Sequence, residues 1–192
     1  MHKGRLEAFS DGVIAIIITI MVLEMKVPHG HDLAALRPLA PVFVSYLLSF
    51  VFLGIYWNNH HHMLHATEHI TGSVLWPNLH LLFWLSLVPF VTGWMGENHF
   101  RPVPTAAYGV VLLMSAIAFT ILQRALVAGR PGSRLARAVR KDHKEWVSLA
   151  MYGSAIPIAF YNQWISDALY VTVALIWLVP DRRIESVIDG EA

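Results

Sequence analysis

The fold class this sequence predicts is an all-α integral membrane protein with six transmembrane helices, and three observations predict it. Of 192 residues only 14 Lys+Arg and 13 Asp+Glu carry charge, a share of 14%, against about 25% in a soluble domain. Hydrophobic residues make up 56% and the mean hydropathy is +0.51. Long apolar runs recur from end to end, more than the water-exposed surface of a chain this size can absorb. Cysteine is absent, which removes disulfides, thiolate metal sites and cysteine nucleophiles. The net charge of +1 is not gathered on a groove-binding face, so the expected partner is a lipid bilayer and not a nucleic acid.

Six apolar stretches follow in order: roughly Phe9–Val27, Pro41–Trp57, Leu75–Gly96, Thr105–Leu126, Trp146–Asn162 and Ser166–Pro180. A bilayer core of about 30 Å needs about 20 helical residues, with about 17 as the lower limit. The first four reach that length. The last two are short, with only Gln163, Trp164 and Ile165 between them, and their division rests on Pro157 as a local breaker and on charge. With the N-terminus inside and six crossings, eleven Lys and Arg fall on the cytoplasmic side, including Arg182 and Arg183. Only Lys26, Arg37 and Arg101 fall outside. That imbalance orients the protein with both termini cytoplasmic. Residues 1–192 read as a single domain, with one basic cytoplasmic loop at about 127–145 rich in Gly, Pro and Arg.

The first stretch begins like a secretory signal, with Lys3 and Arg5 ahead of the run from Gly12 to Leu23, but no small-residue cleavage site follows. It reads as a retained helix. To cross, it must take in Asp11 and lie close to Arg5, and an unpaired ion there costs at least about 2.5–3.5 kcal/mol. Two readings stay open. Either both charges sit in the headgroup zone beside Phe9, or they pair with groups on other helices, since their spacing of six does not make them helical neighbours. Further along, Ile16, Thr19, Ile20 and Leu23 recur at three- and four-residue offsets and share one face. Periodicity alone leaves that face against lipid, against a neighbour or along a pore.

The second stretch ends in Asn58-Asn59-His60-His61-His62, followed by His65 and His69. The spacing of His61, His65 and His69 puts three imidazoles on one helical face, an arrangement that binds borderline metals. A hydrogen-bonding belt at the membrane edge is the other reading. A haem site would need facing histidines deep in the bundle, and His80 is the additional candidate. In the third stretch Pro89 predicts a kink. The phosphate-loop, dinucleotide, serine-hydrolase and zinc-protease motifs are absent from the sequence, so no enzyme is expected.

Several of these patterns coincide with one family. Arg5-x-x-x-Phe9-Ser10-Asp11 opening the first helix, Trp57-x-Asn59-His60-His61 ending the second, and Asn78 with Ser86-Leu87-x-Pro89-Phe90 in the third resemble the bacterial members of the transmembrane protein 175 family of potassium channels. The motifs cover three spans, and chain length and span count cover the rest.

The resemblance implies a homotetramer in the bacterial inner membrane, with the first helix of each subunit lining a central pore and potassium as the permeant ion, without a cofactor. It places the hydrophobic constriction on Ile16 and a hydroxyl position on Thr19, with Ile20 and Leu23 extending the pore face. The chain has no Thr-Val-Gly-Tyr-Gly filter, in keeping with a pore built from side chains. Arg5, Ser10 and Asp11 on the first helix are expected to form a structural clamp with Asn59, His60, His61 and Asn78, Phe9 belonging to the same motif network. A haem or metal protein using His60, His61, His62, His65 and His80, and a non-conducting scaffold, are the alternatives.

Overall fold

The computed structural model describes residues 3–67, 71–128 and 143–178, and every regular element among them is helical. Helix α1, Lys3–Ile20, tightens into a 3₁₀ turn at Met21–Glu24. It buries Leu6, Ser10, Ile14, Ile17 and Met21, which lie along one side at three- and four-residue steps. A 3₁₀ segment, Leu33–Leu39, is opened by Asp32, whose carboxylate accepts the Ala35 N–H at 3.2 Å. It leads into α2, Ala40–His65, where Pro41 occupies the first turn and its missing N–H costs nothing.

Helices α3, Leu75–Ser86, and α4, Val88–Glu97, form the third apolar stretch, divided at Leu87. Pro89 is the cause, because it has no N–H to offer the Leu85 carbonyl. The chain leaves α4 through His99 and Phe100, both in the left-handed region at φ 51° and 58°. Each costs about 1–2 kcal/mol. The Phe100 N–H closes the turn on the Met95 carbonyl at 3.0 Å, and its ring is buried with Trp164 5.9 Å away.

Helix α5, Pro102–Ala128, packs against α3, α4 and α6, His143–Ile158. Helix α7, Gln163–Leu178, returns antiparallel to α6. The Ser166 hydroxyl donates to the Ala155 carbonyl at 2.6 Å near the turn, and the Trp177 indole donates to Ser148 Oγ at 2.8 Å at the far end.

The break between these last helices falls at Ala159–Asn162 and not at Gln163–Ile165. Asn162 sets the boundary, since its Oδ1 accepts the Trp164 N–H at 3.0 Å and starts α7 there. Pro157 lies within the last turn of α6. Among the described residues, four segments are long and apolar enough to cross a membrane: Lys3–Leu23, Leu33–His65, Gly72–Glu97 and Pro102–Ala128. The 16-residue α6 and α7 are shorter, about 24 Å each at 1.5 Å per residue. Most of the loop expected at 127–145, and the Arg182–Arg183 pair, lie outside the described residues.

Buried hydroxyls tie the helices together. Ser49 Oγ sits 2.6 Å from Thr92 Oγ1 and 3.0 Å from the Tyr108 hydroxyl, linking α2, α4 and α5. Such interhelical bonds contribute roughly 0.6–2 kcal/mol in a membrane protein. Gly96 permits the close approach of α4 to α2, because a Cβ there would collide with Ser45 Oγ and the Val42 backbone.

Candidate site: the first helix and its seam with α2 and α3

Helix α1 has two distinct sides. Its buried side carries a hydrogen-bonded chain that crosses three helices. Ser10 Oγ donates to the Leu6 carbonyl at 2.9 Å, Asn78 Nδ2 donates to Ser10 Oγ at 2.9 Å, and Asn78 Oδ1 lies 2.8 Å from His60 Nε2. Ser10, His60 and Asn78 are all fully buried. For His60 Nε2 to donate to that amide oxygen, the ring must carry its proton there, and this leaves His60 Nδ1 as a buried acceptor with no partner among the described residues.

Toward its N-terminal end, α1 meets α2 in an antiparallel seam with one contact per turn. Trp57 Nε1 donates to Asp11 Oδ1 at 3.1 Å, His61 Nδ1 lies 3.3 Å from Glu7 Oε1, and Lys3 Nζ donates to the His65 carbonyl at 2.9 Å. The Trp57 indole stacks on the His61 ring with centroids 6.1 Å apart.

The structure brings together Ser10, Asn78 and His60, and separately Asp11 with Trp57. His61 finds Glu7. The other clamp candidates are placed elsewhere. Arg5 is exposed and pairs with none of the described residues, Phe9 is half exposed, and the Asn59 amide donates to the Ile55 carbonyl of its own helix at 2.8 Å. A long charged side chain at a helix end reaches solvent more cheaply than a buried partner. Glu7, Lys3 and the pairing role of Trp57 were missed by sequence reasoning. Their signal was the four-residue spacing of Lys3, Glu7 and Asp11, mirrored by Trp57, His61 and His65.

The opposite side of α1 carries Ile16, Thr19, Ile20 and Leu23, all exposed, with Ile16 at 64% and Leu23 at 75%. No helix of the same subunit covers it among the described residues. Thr19 Oγ1 donates to the Ala15 and Ile16 carbonyls, both at 3.0 Å. Its one hydrogen is thereby committed to the helix, and the oxygen's lone pairs are left as acceptors on the open face.

His61 and His65 do share a face, with ring centroids 6.0 Å apart, while His69 lies outside the described residues. His60 is engaged by Asn78, and His80 Nε2 accepts the Trp84 indole N–H at 2.9 Å. Among the described residues no three potential metal ligands converge on a common point.

Comparison with known proteins points one way. Residues 5–89 match the family model described as endosomal/lysosomal potassium channel TMEM175. A potassium channel of Chryseobacterium sp. (strain P1-3) is 53% identical over 186 residues, covering 96% of this chain and 97% of the relative. A potassium channel of Chamaesiphon minutus (strain ATCC 27169 / PCC 6605) is 30% identical over 91% of this chain and 92% of its own. The crystal structure of a lysosomal potassium-selective channel TMEM175 homolog from Chamaesiphon minutus superposes with a TM-score of 0.80 at 28% identity, covering 92% of this chain and 96% of that one.

Proposed function

The chain belongs to the TMEM175 family of potassium channels, and from that premise we propose how it conducts. It is a potassium channel, and its pore is formed by four copies with the exposed face of α1 turned toward a common axis. The observation that carries this reading is the α1 face itself, an unpartnered row of Ile16, Thr19, Ile20 and Leu23 on a helix fixed from behind by buried hydrogen bonds. Lipid could also cover such a row, and membership of a channel family together with the Thr19 oxygen on the same face favours a ring of four that closes it.

In this arrangement four Ile16 side chains form an apolar ring that opposes fully hydrated ions and gates by dewetting. One turn on, four Thr19 oxygens present lone pairs to a cation that has shed part of its water. Conduction is passive, with potassium as the permeant ion and no cofactor. Each subunit crosses the bilayer six times, α6 and α7 forming the last two spans. Both termini face the cytoplasm of a bacterial inner membrane, as the distribution of Lys and Arg supports.

Ser10, Asn78 and His60, together with the Asp11–Trp57, Glu7–His61 and Lys3–His65 contacts, act as a clamp that holds α1 at a fixed angle to the axis. The deciding experiment is ion flux into proteoliposomes of the purified protein under matched potassium and sodium gradients. Potassium-preferring uptake that Ile16→Ala makes less selective supports the pore. Uptake indifferent to every change on the α1 face sinks it.

A further inference from the structure

We propose that a cavity between α2, α5, α6 and α7, remote from α1, binds a primary ammonium group, presented by a small aliphatic amine or by an ethanolamine phospholipid. The cavity measures about 50 Å³. Aromatic rings line it from every helix, Phe52 and Tyr56 from α2, Phe119 from α5, Tyr152 from α6 and Trp177 from α7, with polar side chains such as Gln123 and Ser148 between them. Among the described residues lining it, one carries a formal charge: Glu145, in the first turn of α6. Ring faces attract cations, and a carboxylate beside them selects a cation that donates hydrogen bonds.

The groups are held in place. Thr120 Oγ1 donates to Glu145 Oε1 at 2.7 Å, leaving Oε2 without a hydrogen-bond partner among the described residues. The Trp177 indole N–H is committed to Ser148 Oγ at 2.8 Å, and Phe119 meets Tyr56 edge-on at 6.0 Å. The Glu145 side chain is only 15% exposed, and the Arg124 guanidinium stands 4.0 Å from it and is 64% exposed. So distant and solvated a partner compensates a largely buried carboxylate weakly.

Volume narrows the ligand. A water needs roughly 10–15 Å³ by the same kind of measure, so the cavity admits about three or four small atoms, the size of an ethylammonium or ethanolammonium head. A divalent metal is disfavoured because one carboxylate supplies too few ligands. The α2 residues that line the cavity sit next to Trp57 and His60, so an occupant stiffens the back of the helix on which the α1 seam rests. The site owes nothing to the pore assignment, since α1 contributes none of its lining.

The test uses the full chain reconstituted in phosphatidylglycerol vesicles. Its melting curve is followed while ethylammonium chloride is titrated against matched sodium chloride, and native mass spectrometry measures retention of phosphatidylethanolamine over phosphatidylglycerol. Stabilisation by ethylammonium supports a free amine, and selective lipid retention supports the phospholipid head. Glu145→Gln keeps the oxygen that accepts from Thr120 and removes the charge, so binding should weaken about tenfold. Phe119→Leu should weaken it about two- to fivefold. Neither response in the native chain, or unchanged binding in Glu145→Gln, overturns the proposal. Should Glu145→Gln fail to fold, unchanged binding in Phe119→Leu overturns it equally.

Discussion

Trp57 Nε1 donates to Asp11 Oδ1 at 3.1 Å, joining the end of the second apolar helix to the carboxylate that the first helix carries into the membrane. This contact answers the energetic question that Asp11 raises. An isolated carboxylate in a membrane helix is costly, whereas one that accepts a hydrogen bond at the half-buried edge of a helix pair keeps part of its solvation. Glu7–His61 and Lys3–His65 repeat the contact one and two turns further along. The pairing therefore sets the register of α1 against α2.

Asp11→Ala removes the acceptor and leaves the Trp57 N–H unpaired, a loss of about 1.5–3 kcal/mol for a hydrogen bond to a charged group. Size-exclusion recovery of the proposed tetramer should fall and its melting temperature should drop. Asp11→Asn, which retains an acceptor oxygen, should recover most of both. A well-assembled, normally gated Asp11→Ala channel would remove Asp11 from the clamp.

Asn78 serves two helices at once, giving its amide N–H to Ser10 and its oxygen to His60. Asn78→Ala leaves the His60 ring N–H without its acceptor in a fully buried place, at about 1–3 kcal/mol, and also takes away the N–H that Ser10 Oγ accepts, while Ser10 keeps its bond to the Leu6 carbonyl. Ser10→Ala strands only the Asn78 donor and should cost about half as much. Thermal melting in detergent distinguishes them, and the predicted order of stability is wild type, Ser10→Ala, Asn78→Ala. Equal melting of all three would show that the network positions α1 without stabilising it.

Gly96 lies where α4 runs against α2, with Ser45 Oγ and the Val42 backbone in the space a Cβ would take. Backbone cannot move aside as a flexible side chain can, so Gly96→Ala should separate α2 from α4 at about 1–3 kcal/mol. The expected result is a lower melting temperature with ion selectivity intact, since the contact lies away from the α1 face.

Composition alone was enough to read a membrane fold, because apolar runs of bilayer length have few other uses. The four long segments follow from run length, and the interruption in the third follows from Pro89. The boundary between α6 and α7 was misplaced by one turn because it is set by the Asn162 cap, a local hydrogen bond weaker as a sequence signal than the proline nearby. The site was legible in part. Ser10, His60 and Asn78 are polar residues in apolar surroundings, and their need for partners follows from residue type alone. Which partner each one takes depends on helix register, which periodicity does not encode. Thus Asp11 found Trp57 and His61 found Glu7, while Arg5 and Asn59 stayed outside the network.

The histidines at the end of α2 give a second handle on the seam. His61 faces Glu7 at 3.3 Å and stacks near His62 and His65, with Lys3 and Asp11 as the other charged groups of α1 on that side. His61→Ala removes both the Glu7 contact and the Trp57 stack and should loosen α1 from α2, lowering the melting temperature. His62→Ala, whose ring meets only the neighbouring His61 among the described rings, should leave it nearly unchanged, and equal melting of the two variants would remove His61 from the seam.

The open face of α1 yields the sharpest prediction, because its two kinds of side chain should fail differently. Ile16 is apolar and 64% exposed, so in a ring of four its bulk limits the width of the path. Ile16→Ala widens that path and lets ions pass with more of their water, raising leak and lowering preference for potassium over sodium. Thr19 contributes an acceptor, since its hydroxyl hydrogen is taken by the Ala15 and Ile16 carbonyls. Thr19→Val keeps the shape and deletes the oxygen, so the path stays narrow while selectivity falls. The loss should be about two- to tenfold in permeability ratio, the equivalent of one ordinary hydrogen bond of roughly 0.5–1.5 kcal/mol. Thr19→Ser restores the oxygen and should restore the ratio. Bi-ionic reversal potentials in potassium and sodium measure all three, and wild-type ratios in both Ile16→Ala and Thr19→Val would place this face against lipid.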